Sequence, residues 1–480
     1  MSYSTVQTGT VARAAAPTAR PQPGPREILR WAKYHALQGG IWFPLLVIGL
    51  RLLGGPGTYA AYSLLILYAL RGPNEGLKAL FLSWFLSHIS PGLAAAPPNA
   101  EIFRILILLA GLTSAVLASF KSQNALLMGR TVSAFAVFGT FCIAQSMLVS
   151  YAPDVSILKA VSFLVMALTL SISWFSRRVD VEQLQGWIFF WLAAIVLASA
   201  PFLVLKMGYL TNGHGFQGIL IHPQVFGITM ALTGAWIGGR MLRLRAFSAI
   251  DIVFAALVIL MLFLSESRGA MLAASGGLVM SYLLARGLSL QNIRAAFKNL
   301  RHKRVFLLFV CLLFTGGLFF DKVSNMIERT IAKRSDNQTI ASAFDASRGR
   351  LISKSLNNFY ANPVLGIGFG VASDPAKMKV KREPIFGLPV GASIEKGNMY
   401  SAILEEIGFA GFLLFFGLLL VLLNSICRSG QLEMVWLFFS ALLVNLGESV
   451  LFSPNGIGLL VWILMLMATS ARSAQKVHQQ

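Results

Sequence analysis

At 480 residues, with 56% hydrophobic side chains and only 12% charged ones, the chain falls far below the roughly 25% charge of a soluble domain. That excludes a water-facing globule, and it excludes an open sheet in lipid, where every backbone polar group must be satisfied inside helices or a closed barrel. A net charge of +21 would suggest nucleic acid in a soluble protein. In a chain this apolar it reads as Lys and Arg gathered in cytoplasmic loops, with no nucleic-acid partner.

Residues 1–35 form a basic stretch with Arg13, Arg20, Arg26 and Arg30 and the run Pro21-Gln-Pro23-Gly-Pro25. It has no apolar core followed by a small-residue cleavage site, so it reads as a disordered cytoplasmic tail. Continuous apolar runs then lie near 38–53, 57–70, 77–92, 102–119, 131–149, 155–175, 187–205, 219–239, 248–265, 270–285 and 304–320, and, after a polar insert, near 399–425, 432–450 and 454–470. They are continuous rather than alternating and long enough for a hydrocarbon core of about 30 Å. The expected fold class is an all-α polytopic membrane protein of about 12–14 transmembrane helices, the second and third runs being short enough for a re-entrant pair.

Arg71, Lys78, Lys121, Arg130, Arg177, Arg178, Arg240, Arg243, Arg245, the basic run 286–304, Arg428, Arg472 and Lys476 fall in alternate loops. The intervening loops, Gly54 to Gly57, Ser150 to Asp154 and Ser453 to Gly456, hold no Lys or Arg. This alternation predicts both termini in the cytoplasm. The domain reading follows: tail 1–35, helices 36–320, a large external loop 321–398, helices 399–470 and a cytoplasmic tail 471–480. The loop holds twelve Lys or Arg against seven Asp or Glu, a basic surface suited to an anionic ligand. Cys142, Cys311 and Cys427 lie in or at the ends of predicted spans, with no spacing for a disulfide framework or a metal.

Several residues on the external side are candidates for chemistry. Arg268 sits in Leu264-Ser-Glu266-Ser-Arg268-Gly-Ala270, a link so tight that its charge must lie at the membrane boundary, where an ionisable group points to function. Arg348 and Arg350, in Asp345-Ala-Ser-Arg348-Gly-Arg350, could both reach one diphosphate from an irregular segment. Asn362-Pro363 through Gly366, Gly368 and Gly370 reads as a turn with close backbone approach. Glu405 and Glu406 lie roughly 10–12 Å into the following helix. Glu406 is a candidate base or arginine partner, and Gly408 and Gly411 offer a face for helix packing. His214 and His222, flanking the start of the span near 219–239, could act in acid–base work, as could Glu395. No Walker loop and no aspartate-rich metal site is present, so neither metal nor nucleotide cofactor is expected and an activated substrate must bring its own energy.

Four stretches resemble the O-antigen ligase and O-antigen polymerase superfamily of bacterial envelope glycosyltransferases. They are Gly218 to His222-Pro223-Gln224; Ser267-Arg268-Gly269; Arg350-Leu followed by Asn362-Pro363, Gly366 and Gly368; and Asn398 and Tyr400 opening a helix with Glu406, Gly408 and Gly411. The resemblance covers roughly 200–450. It implies transfer of an oligosaccharide from undecaprenyl diphosphate to an acceptor hydroxyl at the outer face of the bacterial inner membrane, without metal. It assigns the diphosphate to Arg268 and Arg350, with Arg348 beside them. Implied partners are the lipid-linked oligosaccharide, membrane lipids and other components of polysaccharide export and chain-length control. Ligases of the family place a His directly before the helix-opening Asn; here that residue is Gly397, and the Asn of their His-Pro-Asn stretch is Gln224. The expected activity is therefore polymerisation of lipid-linked repeat units into an O-antigen, capsule or exopolysaccharide. The alternatives are a ligase transferring the lipid-linked glycan to lipid A core or another acceptor and, second, a transporter of lipid-linked sugar, against which no internal repeat is evident.

Overall fold

The computed structural model describes residues 28–95, 100–119, 125–211, 214–244, 248–298, 349–383, 387–392, 394, 396–454 and 456–470. The expected span near 304–320, the first part of the external loop and most of both tails lie outside the described residues. Helices occupy every other predicted run: α1 (Ile28–Gly39), α2 (Trp42–Leu52), α3 (Gly55–Ala69), α4 (Pro73–Ser87), α5 (Ala100–Ser119), α6 (Ala125–Val149), α7 (Pro153–Trp174), α8 (Val181–Ser199), α9 (Pro223–Leu244), α10 (Ala249–Leu264), α11 (Arg268–Gly287) and α12 (Gln291–Lys298) precede α14 (Met399–Ser429), α15 (Leu432–Leu443) and α16 (Ile457–Ser470). Among the described residues seven helices are long and apolar enough to cross a bilayer, eight if the bent pair α1–α2 counts as one span, and α10, α15 and α16 are shorter apolar helices. The protein is an all-α, multi-pass membrane protein.

Residues 28–35, expected to belong to the tail, are helical. Their partner is remote in sequence: Asp251 accepts hydrogen bonds from the free N–H groups of Ile28 (3.2 Å) and Leu29 (3.1 Å) while also closing the capping box of α10 with Ser248. One carboxylate thus serves two helix starts. α1 turns 85° from α2 and lays Trp31 beneath the Arg240 guanidinium, 3.6 Å from the ring centre. At this same end Arg243 grips the fully buried Glu433 (2.8 Å), and Lys78 donates to the Gly39 carbonyl (2.7 Å).

At the opposite end the interhelical segments interlock through backbone bonds. Ser90 N–H reaches the Ile219 carbonyl (2.9 Å), Ile221 N–H reaches His88 (2.8 Å) and Phe216 N–H reaches Leu264 (2.8 Å). Arg51, buried on α2, donates to the carbonyls of Leu86, Ala94 and Ala95 and to Thr58, so its charge is met by dipoles rather than by an acid.

The described part of the polar insert packs on this end as helix α13 (Arg350–Ala361) and a two-stranded antiparallel hairpin, β1 (Val380–Arg382) with β2 (Pro389–Ala392). Between them, residues 362–370 enter a break in α14. Gly408 has φ 63°, ψ −170°, a conformation open to glycine almost alone. The break frees four backbone groups, and the loop takes all of them: Ile367 and Gly368 donate to the Glu405 and Glu406 carbonyls (both 2.9 Å), while Phe409 and Ala410 donate to Pro363 (2.8 Å) and Val364 (3.2 Å). Gln145 of α6 seals the joint, its Nε2 donating to the carbonyls of Leu365 (2.7 Å) and Glu406 (2.9 Å). Phe369 at the loop's end enters an aromatic core with Phe163, Phe415 and Phe452.

Gly408 was expected to provide a packing face; its role is the break itself. A Cβ there would lie 2.3 Å from the Val364 carbonyl oxygen, and one on Gly366 would lie 2.5 Å from that of Glu405. Gly408→Ala should therefore cost about 1–3 kcal/mol in backbone strain alone, with the clash added. The expected outcome is a lowered melting temperature in detergent and faster proteolysis of residues 349–398, while the neighbouring Gly417→Ala, whose Cβ meets nothing within 4 Å, leaves both unchanged.

Candidate functional site

The broken helix decides where the acids go. Asn398 caps α14, its side-chain oxygen accepting from Ser401 N–H (2.8 Å), and the first two turns carry Glu405 and Glu406 into the protein rather than to the lipid. Glu405 is fully buried. It accepts from Asn358 of α13 (2.6 Å), Ser373 (3.0 Å) and the Lys396 ammonium (2.7 Å). Glu406, 3% exposed, accepts from Gly370 N–H (2.6 Å) and faces Lys396 at 3.6 Å. A buried charge must be paired and hydrogen-bonded to be tolerated, and these two carboxylates share one ammonium and three other donors. Lys396 escaped the sequence reading; a lysine nine residues before a glutamate on an otherwise apolar helix was the available signal.

On the outer surface α13 is fastened by Lys354, which bonds Asp374 at 3.1 Å, with Lys377 at 3.3 Å. These ammoniums hold the Asp374 carboxyl below the usual carboxylate range. Because that shift is downward, the contribution is present at neutral pH and disappears as pH falls through the lowered value; its exposure keeps it small and salt-sensitive.

Glu406 lines a cavity of about 230 Å³ with Lys159 of α7, Lys396, Phe452 and Ser453, under the β2 strand. The segment after α15 separates this cavity from a second polar group. On that other side Gln224 donates to Glu448 (2.7 Å), and His222 Nδ1 accepts from Gln224 N–H (3.2 Å) at the start of α9, which leaves the proton of the neutral ring on Nε2. Arg268 is the first residue of α11 and is exposed. It follows a turn in which Glu266 has φ 53° and accepts from Gly215 N–H (3.4 Å), with Gly269 abutting Gly447. His222, Gln224, Glu448 and the Arg268 turn thus border one another.

His214 is half-buried beside this turn, adjoining Gly215. Arg350 is the first residue of α13 and exposed. Arg348 and Glu395 lie outside the described residues. Glu406 is not brought to either histidine; its contacts are Gly370, Lys396 and the cavity. Glu448, likewise unforeseen, carried no signal in the sequence beyond being a carboxylate near a predicted external loop.

Residues 253–416 match the family model described as O-antigen ligase. The chain carries a domain of the O-antigen ligase and polymerase superfamily. This ligase-like domain runs from α10 to the middle of α14, taking in Arg268, Arg350, the 362–370 loop and the Gly408 break, while His214, His222, Gln224 and Glu448 come to it from outside. Comparison with curated proteins finds no match. The match suggests a glycosyltransferase-like enzyme of the ligase or polymerase type. Among the described residues no three His, Cys, Asp or Glu side chains converge as metal ligands would.

Removing one partner of a buried ion pair costs about 3–5 kcal/mol because the other charge is stranded. Lys396→Met should therefore destabilise the ligase-like domain more than Lys354→Met, which breaks only the exposed pair with Asp374. Thermal unfolding of both variants in the same detergent checks the ranking.

Proposed function

We propose that the protein polymerises undecaprenyl-diphosphate-linked oligosaccharide repeat units into an O-antigen, capsule or exopolysaccharide. The reaction takes place at the outer face of the bacterial inner membrane, with both termini in the cytoplasm. The orientation is supported by Arg71, Arg177, Arg178, Arg240, Arg243, Arg286 and Arg428, which lie in or beside the segments at the end of the bundle opposite the candidate site.

In this reading the acceptor sugar hydroxyl attacks the anomeric carbon of the donor. The bond from that carbon to the diphosphate oxygen breaks, and undecaprenyl diphosphate leaves with the electron pair. Arg268 and Arg350, exposed at helix starts, hold the diphosphate, with Arg348 as a further candidate from the sequence; guanidinium groups placed in advance stabilise the charge that builds on the leaving oxygens. The hydroxyl proton passes to His222 or His214, while Glu406 shapes the acceptor side from within its cavity. Neither metal nor nucleotide takes part. Membrane lipids surround the reaction, and chain-length and export components receive the product.

The observation that carries polymerase over ligase is at Gly397. This buried residue directly precedes the Asn398 cap, where ligases resembling this chain carry histidine, and the Lys396 ammonium beside it is committed to Glu405. Among the described residues at the start of α14, the Lys396 ammonium bonds Glu405 and the Tyr400 hydroxyl bonds the Leu442 carbonyl. The ligase reading retains one support, the description of the matched family.

Reconstitution in liposomes with lipid-linked repeat units decides between them. A ladder from repeat units alone is the expected outcome; product only when lipid A core is added would make the protein a ligase, and sugar crossing the bilayer without product would make it a transporter. Arg268→Ala and Arg350→Ala should each reduce the polymerisation rate by at least about 10²-fold, as removal of one transition-state donor does, with membrane insertion unchanged. Separately, chelation of divalent cations should leave the ladder intact, and its loss would contradict the metal-free step.

A further inference from the structure

The cavity beneath the hairpin is lined by charges that balance and by hydroxyls that are left open. Lys159 of α7 faces Glu406 on the same wall, and Lys396 pairs with Glu405 at 2.7 Å, so two ammonium groups meet two carboxylates. Balance of charge still leaves hydrogen-bonding capacity. Glu406 Oε2 accepts from Gly370 N–H (2.6 Å), but Oε1 has only Lys396 near it, at 3.6 Å, beyond hydrogen-bond length.

Ser162, Ser449 and Ser453 line the same space. A serine or threonine inside a helix can return its hydroxyl to a carbonyl one turn back, as Thr169 and Ser171 do on α7 itself (both 2.7 Å). Ser162 does not. None of the three serine side chains has a hydrogen-bond partner among the described residues, and all three are half-buried. Hydroxyls held in this way are costly unless something entering the cavity bonds them. Apolar surface completes the lining through Leu158 and the Phe452 ring.

This mixture matches a sugar ring, which presents C–H groups on its faces and, at its edge, hydroxyls that both donate and accept. At about 230 Å³ the half-open space is below the roughly 300–1,000 Å³ of drug-sized pockets and suits one ring. The hairpin that roofs it is tied to α5 and α7 by the ion pairs Lys381–Glu101 and Arg382–Asp154. On the far side of the dividing segment Glu448 bonds Gln224, whereas its neighbour Ser449 lines the cavity.

We propose that this cavity is a subsite for one uncharged sugar ring of the glycan, with its hydroxyls on the three serines and Glu406 Oε1 and its C–H face on Phe452. A uronic acid is selected against, because its carboxylate would add an unpaired charge to a wall already in balance. The inference rests on the glycan-joining reading and adds the class of sugar.

The test uses the full chain in lipid nanodiscs and saturation-transfer NMR with the methyl glycosides of glucose, galactose and mannose, and with methyl glucuronide as the charged probe. At least one neutral glycoside should bind, and the glucuronide should bind at least about 10-fold more weakly than the best of them. Ser162→Ala should weaken the neutral ligand about 5-fold, as loss of one hydrogen bond does, and Ala392→Trp, which fills the cavity from the roof, should abolish binding. Glu406→Gln leaves an excess positive charge on the wall, so it should weaken the neutral ligand and strengthen the glucuronide, a reversal that a purely structural role would not produce. If Glu406→Gln does not fold, the other two variants keep the inference testable. Binding of none of the three neutral glycosides, equal binding of the glucuronide, or binding indifferent to both Ser162→Ala and Ala392→Trp would each overturn it. A polymer ladder in liposomes alongside absent glycoside binding would sink this subsite and spare the polymerase. Glycoside binding that depends on Ser162, with no product in liposomes, would do the reverse.

Discussion

The structure depends on one exchange of backbone hydrogen bonds. A transmembrane helix ordinarily satisfies its own N–H and C=O groups, and in lipid no other arrangement is tolerated. At Gly408 that ladder is interrupted, and the open groups are satisfied by residues 363–368 instead. The loop is thereby welded to the helix by main-chain bonds that require no side chain, and the Glu405–Lys396 pair lies directly above the weld. Because the break is covered by protein, the cost of non-helical backbone at membrane depth is avoided. What results is a floor for this end of the bundle, continuous with the aromatic core through Phe369.

Charge is used differently at the two ends of the bundle. At the end bearing most loop arginines, ionic groups join elements that are remote in the chain: Asp251 with α1, Arg243 with Glu433, Arg240 with Trp31. These contacts are structural and close on themselves. The opposite end contains a buried network around Glu405 and Glu406, and also exposed cations at helix starts, Arg268 and Arg350, whose positions favour an anion arriving from outside. A basic, partly open surface lies beside a half-open cavity. In a transporter the polar groups would be expected near the midplane between related halves.

Much of this was legible in the residues. Thirteen apolar runs became helices at nearly the expected positions, and Asn398 was recognisable as the start of α14 from its place before an apolar stretch. The turn at Asn362 to Gly370 was correctly expected to bring backbone close to something. The identity of that something, a broken transmembrane helix, was hidden, because Gly408 looks the same whether it permits packing or a break. Glu406 was singled out as a candidate base from its depth, but its partners, Gly370 and Lys396, could not be deduced. The tail reading failed at residues 28–35 because the acid that organises them is more than two hundred residues away.

By itself, then, the sequence determined the membrane class and the helical segments, since hydropathy is a local property that the bilayer reads segment by segment. It also marked Arg268 as unusual, because a charge in a tight boundary link is costly wherever the helices settle, whereas Arg350 stood out through the motif it shares with a known family. Only the tertiary structure decided which charges neutralise one another: Lys396 with Glu405, and Asp251 with the start of α1. Pairing energy depends on distances between groups far apart in the chain, and those distances exist only after the helices have packed.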